Sequence, residues 1–215
     1  MHPLPTRIFF SVLALMLMFT ACSANKDNAE KPVQDSMHIA AIKHDTADVS
    51  HVTQPPIINI TDSFIKKQWV LYVKDSAANS NRINYKLAQI YKSILPQAAK
   101  SANVLLMNAP MAWYKNRGIS IFFEAGYEID KKPEGKLPTK VFLKSIGGDS
   151  AVVAHFYGPY EITVMGYEAL NDWIKTNKKK TAGQPYEMYV TDPFMVSTDK
   201  KNPYRIRTDI FIPHK

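Results

Sequence analysis

The sequence predicts an α+β fold in which a β-α-β-β unit occurs twice. A β-prone segment, a helical apolar period and two more β-prone segments follow one another, and the same order then repeats. An offset of 75 residues places Pro110 on Pro185 and Tyr114 on Tyr189. Two such units predict an antiparallel sheet with helices on one face and a cleft between the repeats.

The first unit begins with a β-prone segment at residues 69–73. A helical pattern then follows, with apolar positions at Ile83, Leu87, Ile90, Tyr91 and Ile94. Apolar segments at 104–107 and 110–114 follow, and a strand predicted at 119–129 closes the unit, interrupted by Gly126.

The second unit starts with a predicted strand at 151–157, and Gly158 and Pro159 then turn the chain. A helical period follows, and its apolar positions are Ile162, Met165, Ala169, Leu170, Trp173 and Ile174. A short segment at 185–189 and a last strand at 204–212, which alternates apolar and polar residues, complete the repeat.

The N-terminus has the three parts of an export signal. Arg7 precedes an apolar stretch at 8–19, and Thr20, Ala21 and Cys22 follow. Residues 19–22 resemble the lipobox of bacterial lipoproteins, with Phe where Leu is commoner. We therefore predict a lipoprotein signal peptide over residues 1–21 and lipid on Cys22; an ordinary cleaved signal is the alternative.

The segment that follows, residues 22–60, is polar and lacks a sustained apolar period, so we predict a flexible tether. His38, His44 and His51 fall in it and are interpreted as linker residues. Residues 61–215 have the length of one domain, with repeats at about 67–130 and 144–213.

The chain is basic, with a formal net charge of +8 over 215 residues. The densest run, Lys178 to Lys180, follows a helical pattern, and no nucleic-acid motif accompanies it, so no nucleic-acid partner is predicted. The charge instead favours anionic lipid head groups or polysaccharide.

The sequence predicts no disulfide, metal or cofactor. It contains 1 Cys, and neither a Gly-x-Ser-x-Gly nor a His-Glu-x-x-His motif occurs.

Several segments of the second half together resemble the GyrI-like small-molecule-binding domain, which is also the effector-binding part of AraC-type regulators. They are residues 155–161, 183–189 and 191–193 and the closing stretch 208–213. The resemblance covers residues 144–213 well and residues 67–129 in order only. It implies a duplicated β-α-β-β fold with an aromatic pocket between the repeats and a carboxylate inside it, at the position of Glu187.

Strand alternation adds detail to that implied site. Glu187 and Tyr189 point to one face of a strand, and the repeat places Ala112 and Tyr114 opposite them. A carboxylate among aromatic rings can hold a cation through charge and π-face contacts. Tyr160, Trp113 and Phe123 are further candidates for the lining. The alternative is that Glu187 is a surface residue paired with a lysine.

Three functions follow from these features. The first is a lipid-anchored module that holds a small aromatic or hydrophobic molecule, with an aromatic or cationic ligand as one option, in a cleft with a central carboxylate. Its expected binding residues are Glu187, Tyr189, Tyr114, Tyr160, Trp113 and Phe123. The second is a structural or partner-binding lipoprotein with a vestigial pocket. The third is a small-molecule hydrolase using Glu187 as acid or base. The expected location is the cell envelope, on the periplasmic side or the cell surface, with the outer membrane favoured because Ser23 follows the cysteine.

The anchor prediction is tested by Cys22→Ser. Two or more acyl chains hold a protein stably on a membrane, so the serine variant is expected to lose membrane association. Fractionation of expressing cells measures this, and a serine variant that still sediments with membranes contradicts the prediction.

Overall fold

A computed structural model describes residues 54–117, 120–192 and 202–215. Cys22, the predicted signal peptide and most of the predicted tether lie outside these residues. The strands are β1 (Ile57–Phe64), β2 (Gln68–Ala77), β3 (Leu106–Arg117), β4 (Ser120–Ile129), β5 (Val141–Ile146), β6 (Ser150–Tyr157), β7 (Tyr186–Met188) and β8 (Arg207–His214). The helices are α1 (Ser80–Gln89), α2 (Leu95–Ser101) and α3 (Val164–Thr176), with 3₁₀ turns at Tyr160–Ile162 and Pro203–Arg205.

The eight strands form one sheet in the order β1-β6-β8-β7-β3-β4-β2-β5, and every neighbouring pair is antiparallel. The predicted α+β class is confirmed. Within the described ranges, no helix is both long and apolar enough to cross a bilayer.

The two repeats meet at the centre of the sheet, where β3 pairs with β7. One unit is β2-α1-α2-β3-β4 and the other is β6-α3-β7-β8. Ala112 lies directly opposite Glu187, and these two residues are also related by the 75-residue offset of the repeat. A residue that pairs with its own repeat equivalent lies on the pseudo-twofold axis, so Glu187 and Ala112 mark that axis.

Two strands lie outside the predicted units and are exchanged between them. β1 precedes the first unit but pairs with β6, and β5 precedes the second unit but pairs with β2. Because β1 begins at Ile57, the domain starts before the predicted boundary at residue 61. Most side chains of β1 are exposed, which removes the apolar alternation that identifies a strand in sequence.

The exchanged strands bring the two ends of the sheet together. Three residues connect Phe64 to Gln68, and such a connection spans at most roughly 14 Å. It meets the β5–β6 connection, where Asp149 O accepts from Ile65 N at 3.0 Å and Ile65 O from Gly148 N at 2.7 Å. The sheet therefore curls around one of its faces, called the inner face below.

Both faces of the sheet carry apolar residues. On the outer face, α1 and α2 pack on β2, β3 and β4, while α3 packs on β6 and β8. The inner face is filled mainly by large side chains from both halves: Val70, Tyr72, Met111, Trp113, Val153, Tyr186 and Phe211. Tyr186 stacks on Phe211 with ring centroids 4.5 Å apart, so the two halves share this second core.

A single long helix in the first unit is interrupted by a π-helical turn. Asn79 caps its start by accepting from Arg82 N at 3.0 Å. The turn covers Ile90–Ile94, and the N–H of Leu95 reaches back five residues to Ile90 O. Pro96, which has no N–H to donate, follows directly, so the wide turn lets the helix continue where a proline otherwise breaks it.

Gly126 on β4 is predicted to allow the close packing of β4 against β2, because a larger residue has no room there. A Cβ built there meets Leu71 O at 2.7 Å and Val70 Cγ1 at 2.8 Å. Gly126→Ala is therefore expected to lower the free energy of unfolding by about 1–3 kcal/mol, the usual range for overpacking.

Urea denaturation measures this loss, with Gly183→Ala as the matched control. A Cβ at Gly183 meets only Pro213 at 3.5 Å, an ordinary contact. Equal stabilities for the two alanine variants contradict the packing argument.

Candidate ligand-binding site

Glu187 is buried between the outer face of the sheet and the helices. Only 5% of the residue is exposed. Its neighbour across the axis, Ala112, is fully buried and has no side chain beyond Cβ, so the carboxylate meets no second acid there. The phenol of Tyr167 on α3 donates to Glu187 Oε1 at 2.9 Å.

Two tyrosines related by the repeat touch each other beside the carboxylate. Tyr114 and Tyr189 join their hydroxyls at 2.5 Å. The Tyr189 hydroxyl also acts to lower the pKa of Glu187, against the larger effect of burial. The sequence prediction that Glu187, Tyr189 and Tyr114 lie together on one face thus agrees with the geometry.

Two further tyrosines complete the surroundings of the carboxylate. Tyr160 donates to Thr191 O at 3.1 Å, and its ring meets Tyr189 edge-on with centroids 5.8 Å apart. Tyr91, from the π-helical turn, donates to Met111 O at 2.7 Å. We call Tyr91, Tyr114, Tyr160, Tyr167 and Tyr189 the tyrosine cage.

Burial dominates the electrostatics of the carboxyl group. It raises the pKa of Glu187 from 4.5 to about 7, against the opposing effect of the hydrogen bonds from Tyr167 and Tyr189. At neutral pH the group is therefore divided between its neutral and charged forms.

The phenols of the cage remain protonated at that pH. Burial is the main cause that raises the pKa of each of the five, and the charge of Glu187 raises each further. The cage thus supplies hydroxyl donors and ring faces and no positive charge.

Two other acids on the sheet, the buried Asp209 and the partly buried Glu124, are neutralised by bases, in contrast to Glu187. Asp209 receives two bonds from Arg207, Nε to Oδ1 at 2.8 Å and Nη2 to Oδ2 at 2.9 Å. Glu124 lies 2.9 Å from Lys144 Nζ. Among the described residues, no lysine or arginine forms an ion pair with Glu187.

The remaining sequence candidates divide between the two faces. Phe123 is buried beneath Tyr114, with ring centroids 6.4 Å apart, and belongs to the core under the cage. Trp113 lies on the inner face beside Tyr186, at 5.3 Å between centroids. It does not join the cage because its neighbours in sequence, Ala112 and Tyr114, occupy the outer face and side chains alternate along a strand.

Sequence reasoning missed Tyr91 and Tyr167. Tyr167 lies three residues before Leu170 and seven before Ile174, which places it on the apolar face of α3, so helical spacing contains the signal. Tyr91 was identified only as a helix position, because its orientation depends on the π-helical turn. In the described part of the chain, no group of three His, Cys, Asp or Glu side chains is arranged to hold a metal ion.

No family model and no curated protein sequence matches the chain. Among solved structures it is similar to EcmrR in a complex with DNA, at 16% identity and a TM-score of 0.59, over 77% of this chain and 60% of EcmrR. The separate C-terminal domain of EcmrR gives 15% identity and a TM-score of 0.58, over 75% of this chain and 99% of that domain. An uncharacterized conserved protein from Listeria innocua gives 12% and 0.54, over 73% and 92%.

The chain thus spans less than two thirds of EcmrR but nearly all of its C-terminal domain. At these identities the likeness establishes the fold alone. The fold is that of the EcmrR C-terminal domain, in agreement with the GyrI-like fold that the sequence resemblance implies.

Proposed function

We propose that this protein is a small-molecule-binding module of the GyrI-like type, held on a bacterial membrane through lipid on Cys22. The observation that carries the proposal is Glu187, a buried carboxylate surrounded by five tyrosines and paired with no lysine or arginine of the described residues. Burying an unpaired charge destabilises a fold, so a ligand that neutralises it accounts for its presence.

The ligand class follows from the cage. A positively charged aromatic molecule compensates the carboxylate and stacks on phenol rings, which attract cations through their π faces. Tyr114, Tyr160 and Tyr167 are half-buried while Glu187 is not accessible, so these three rings form the boundary that a ligand passes. Neutral aromatic molecules that donate a hydrogen bond to the carboxylate are the second class.

The proposed location rests on the sequence. A leader with a charged start, an apolar centre and a cysteine after small residues supports lipid anchoring in the cell envelope. Ligand capture at a membrane surface then replaces the regulatory role of the effector-binding domains that this fold resembles.

A hydrolase is the second candidate, favoured by the pKa of Glu187 near 7. A carboxyl group that titrates at neutral pH suits proton transfer to or from a reacting molecule. The two functions separate in Glu187→Gln: an enzyme loses turnover and retains binding, whereas a binder loses binding itself.

Glu187→Gln is expected to weaken binding of aromatic cations by about 30-fold or more. Removing one partner of a buried charge pair costs about 2 kcal/mol or more. Fluorescence titration with a panel of aromatic cations and neutral aromatics of matched size measures this.

The control for this titration is Glu161→Gln, an exposed glutamate on the neighbouring 3₁₀ turn. Its affinities should equal those of the wild type. If no compound binds, or if both glutamine variants bind cations as the wild type does, the proposal fails.

The same substitution is expected to change the pH dependence of stability. The folded-state pKa of Glu187, about 7, lies above its ordinary value of 4.5, so the folded chain binds the extra proton between these values. Its stabilising contribution is present below about pH 4.5 and is lost as the pH rises through 7, amounting to about 3 kcal/mol.

Urea denaturation of wild type and Glu187→Gln at pH 4.5 and pH 8 isolates this contribution, because every other titrating group is common to both. The wild type should lose stability relative to the glutamine variant as the pH rises. A difference between the two proteins that is constant with pH contradicts the assignment.

A further inference from the structure

Three lysines surround the carboxylate of Glu124 on the inner face, where β3, β4, β2 and β5 lie side by side. Lys144, Lys115 and Lys74 place their Nζ atoms 2.9, 3.4 and 3.9 Å from Glu124. One carboxylate neutralises one ammonium group, so the cluster keeps a surplus of two positive charges at neutral pH.

Two of the three cations of this cluster face outward, and the acid does not. The side chains of Lys74 and Lys115 are 56% and 43% exposed, whereas that of Glu124 is 12% exposed. Lys144 is held inside, with its Nζ 3.1 Å from the centroid of the Trp113 ring. A partner approaching this edge therefore meets Lys74 and Lys115 first.

Two exposed phenyl rings flank these lysines on the same face. Phe142 lies opposite Tyr72 in the β2–β5 pairing, and Lys74 Nζ is 5.4 Å from its ring centroid. Phe122 lies directly opposite Lys115 in the β3–β4 pairing. Lys74, Lys115, Phe122 and Phe142 together are called the lysine–phenylalanine rim.

The rim is separate from the tyrosine cage. Glu124 and Trp113 lie opposite each other in the β3–β4 pairing on the inner face, whereas Tyr114 and Ala112 point to the outer face. A partner at the rim therefore leaves the surroundings of Glu187 free.

We propose that the lysine–phenylalanine rim docks on the surface of an anionic phospholipid bilayer. A bilayer presents phosphate charges above acyl chains, and so it matches both parts of the rim: the lysines bind head groups while the phenyl rings enter the boundary beneath them. A soluble anion matches only the lysines and leaves Phe122 and Phe142 in water.

The close approach of the ammonium groups of Lys74, Lys115 and Lys144 supports an anionic bilayer as the partner. Burial, followed by repulsion from Lys115 and Lys74, lowers the pKa of Lys144 to about 8, in opposition to the effect of Glu124. Anionic head groups next to Lys74 and Lys115 relieve that repulsion. The interaction neither uses Glu187 nor requires the lipid on Cys22, so it goes beyond the function proposed above.

A fluorescent label at the rim tests the proposal in the full chain. Cys22→Ser removes the one cysteine of the sequence, and Phe142→Cys then provides a single site for a polarity-sensitive, thiol-reactive dye. Vesicles of phosphatidylglycerol should shift the emission of this dye to the blue, and vesicles of phosphatidylcholine should not. The N-terminal apolar segment is common to all samples, so the difference between the two lipids reports the rim.

The matched label is placed by Tyr85→Cys, at an exposed position on α1, and should not respond to either lipid. Adding Lys74→Gln and Lys115→Gln to the rim-labelled chain should weaken docking about 30-fold, at roughly fivefold for each lysine near an anionic surface. The control pair Lys178→Gln and Lys179→Gln, on an exposed loop, should leave docking unchanged.

The proposal is overturned by an equal response to the two lipids, an equal response of the two labels, or full docking by the rim lysine variant. An oligonucleotide is added as a competitor. If it abolishes docking on vesicles and itself shifts the emission of the rim dye as strongly as the vesicles do, the proposal is overturned in favour of a nucleic-acid partner. Loss of docking with cation binding at Glu187 intact separates this surface from the cage.

Discussion

The Ala112–Glu187 pair at the pseudo-twofold axis is the constraint on which the candidate site depends. Residues directly opposite in an antiparallel pair have Cβ atoms about 5 Å apart. Two ionised carboxylates at that distance repel by about 3 kcal/mol at an effective dielectric constant of 20. A second ionised acid in the first repeat would therefore destabilise the centre of the sheet, and alanine at position 112 leaves one carboxylate at the axis.

The elements around that pair provide hydroxyl donors from both halves of the fold. Tyr114 and Tyr189 come from the paired central strands, Tyr167 from α3, and Tyr91 from the π-helical turn between α1 and α2. The apolar clusters on both faces of the sheet offset the free energy that burial of the carboxylate costs. The curl of the sheet makes the second of these clusters possible, because the short connections after β1 and β5 draw its two ends together.

Local pattern and internal repetition predicted the parts of the fold that depend on neighbouring residues. The α+β class, the positions of the central strands and the register of Glu187 opposite Ala112 all follow from periods of 2 and 3.6 and from the offset between repeats. The exchange of β1 and β5 did not follow, because the pairing partner of an exposed edge strand is not encoded in its own alternation. The inner-face position of Trp113 was available from strand alternation with Tyr114, whereas the orientation of Tyr91 depends on a π-helical turn that no spacing rule reveals.

The charge partners of three acids of the sheet, Glu187 and Asp209, which are buried, and Glu124, which is partly buried, support the proposal that Glu187 serves a ligand. In the first repeat Glu124 is opposite Lys74 across β4 and β2, and in the second Asp209 is opposite His155 across β8 and β6. Each of these acids thus faces a basic residue on the first strand of its repeat, and further lysine or arginine side chains reinforce it. The scaffold supplies bases where an acid is structural. Of these three acids, only Glu187 has phenol partners, which hydrogen-bond to a carboxylate without cancelling its charge. Under the proposed function, a bound molecule compensates that charge.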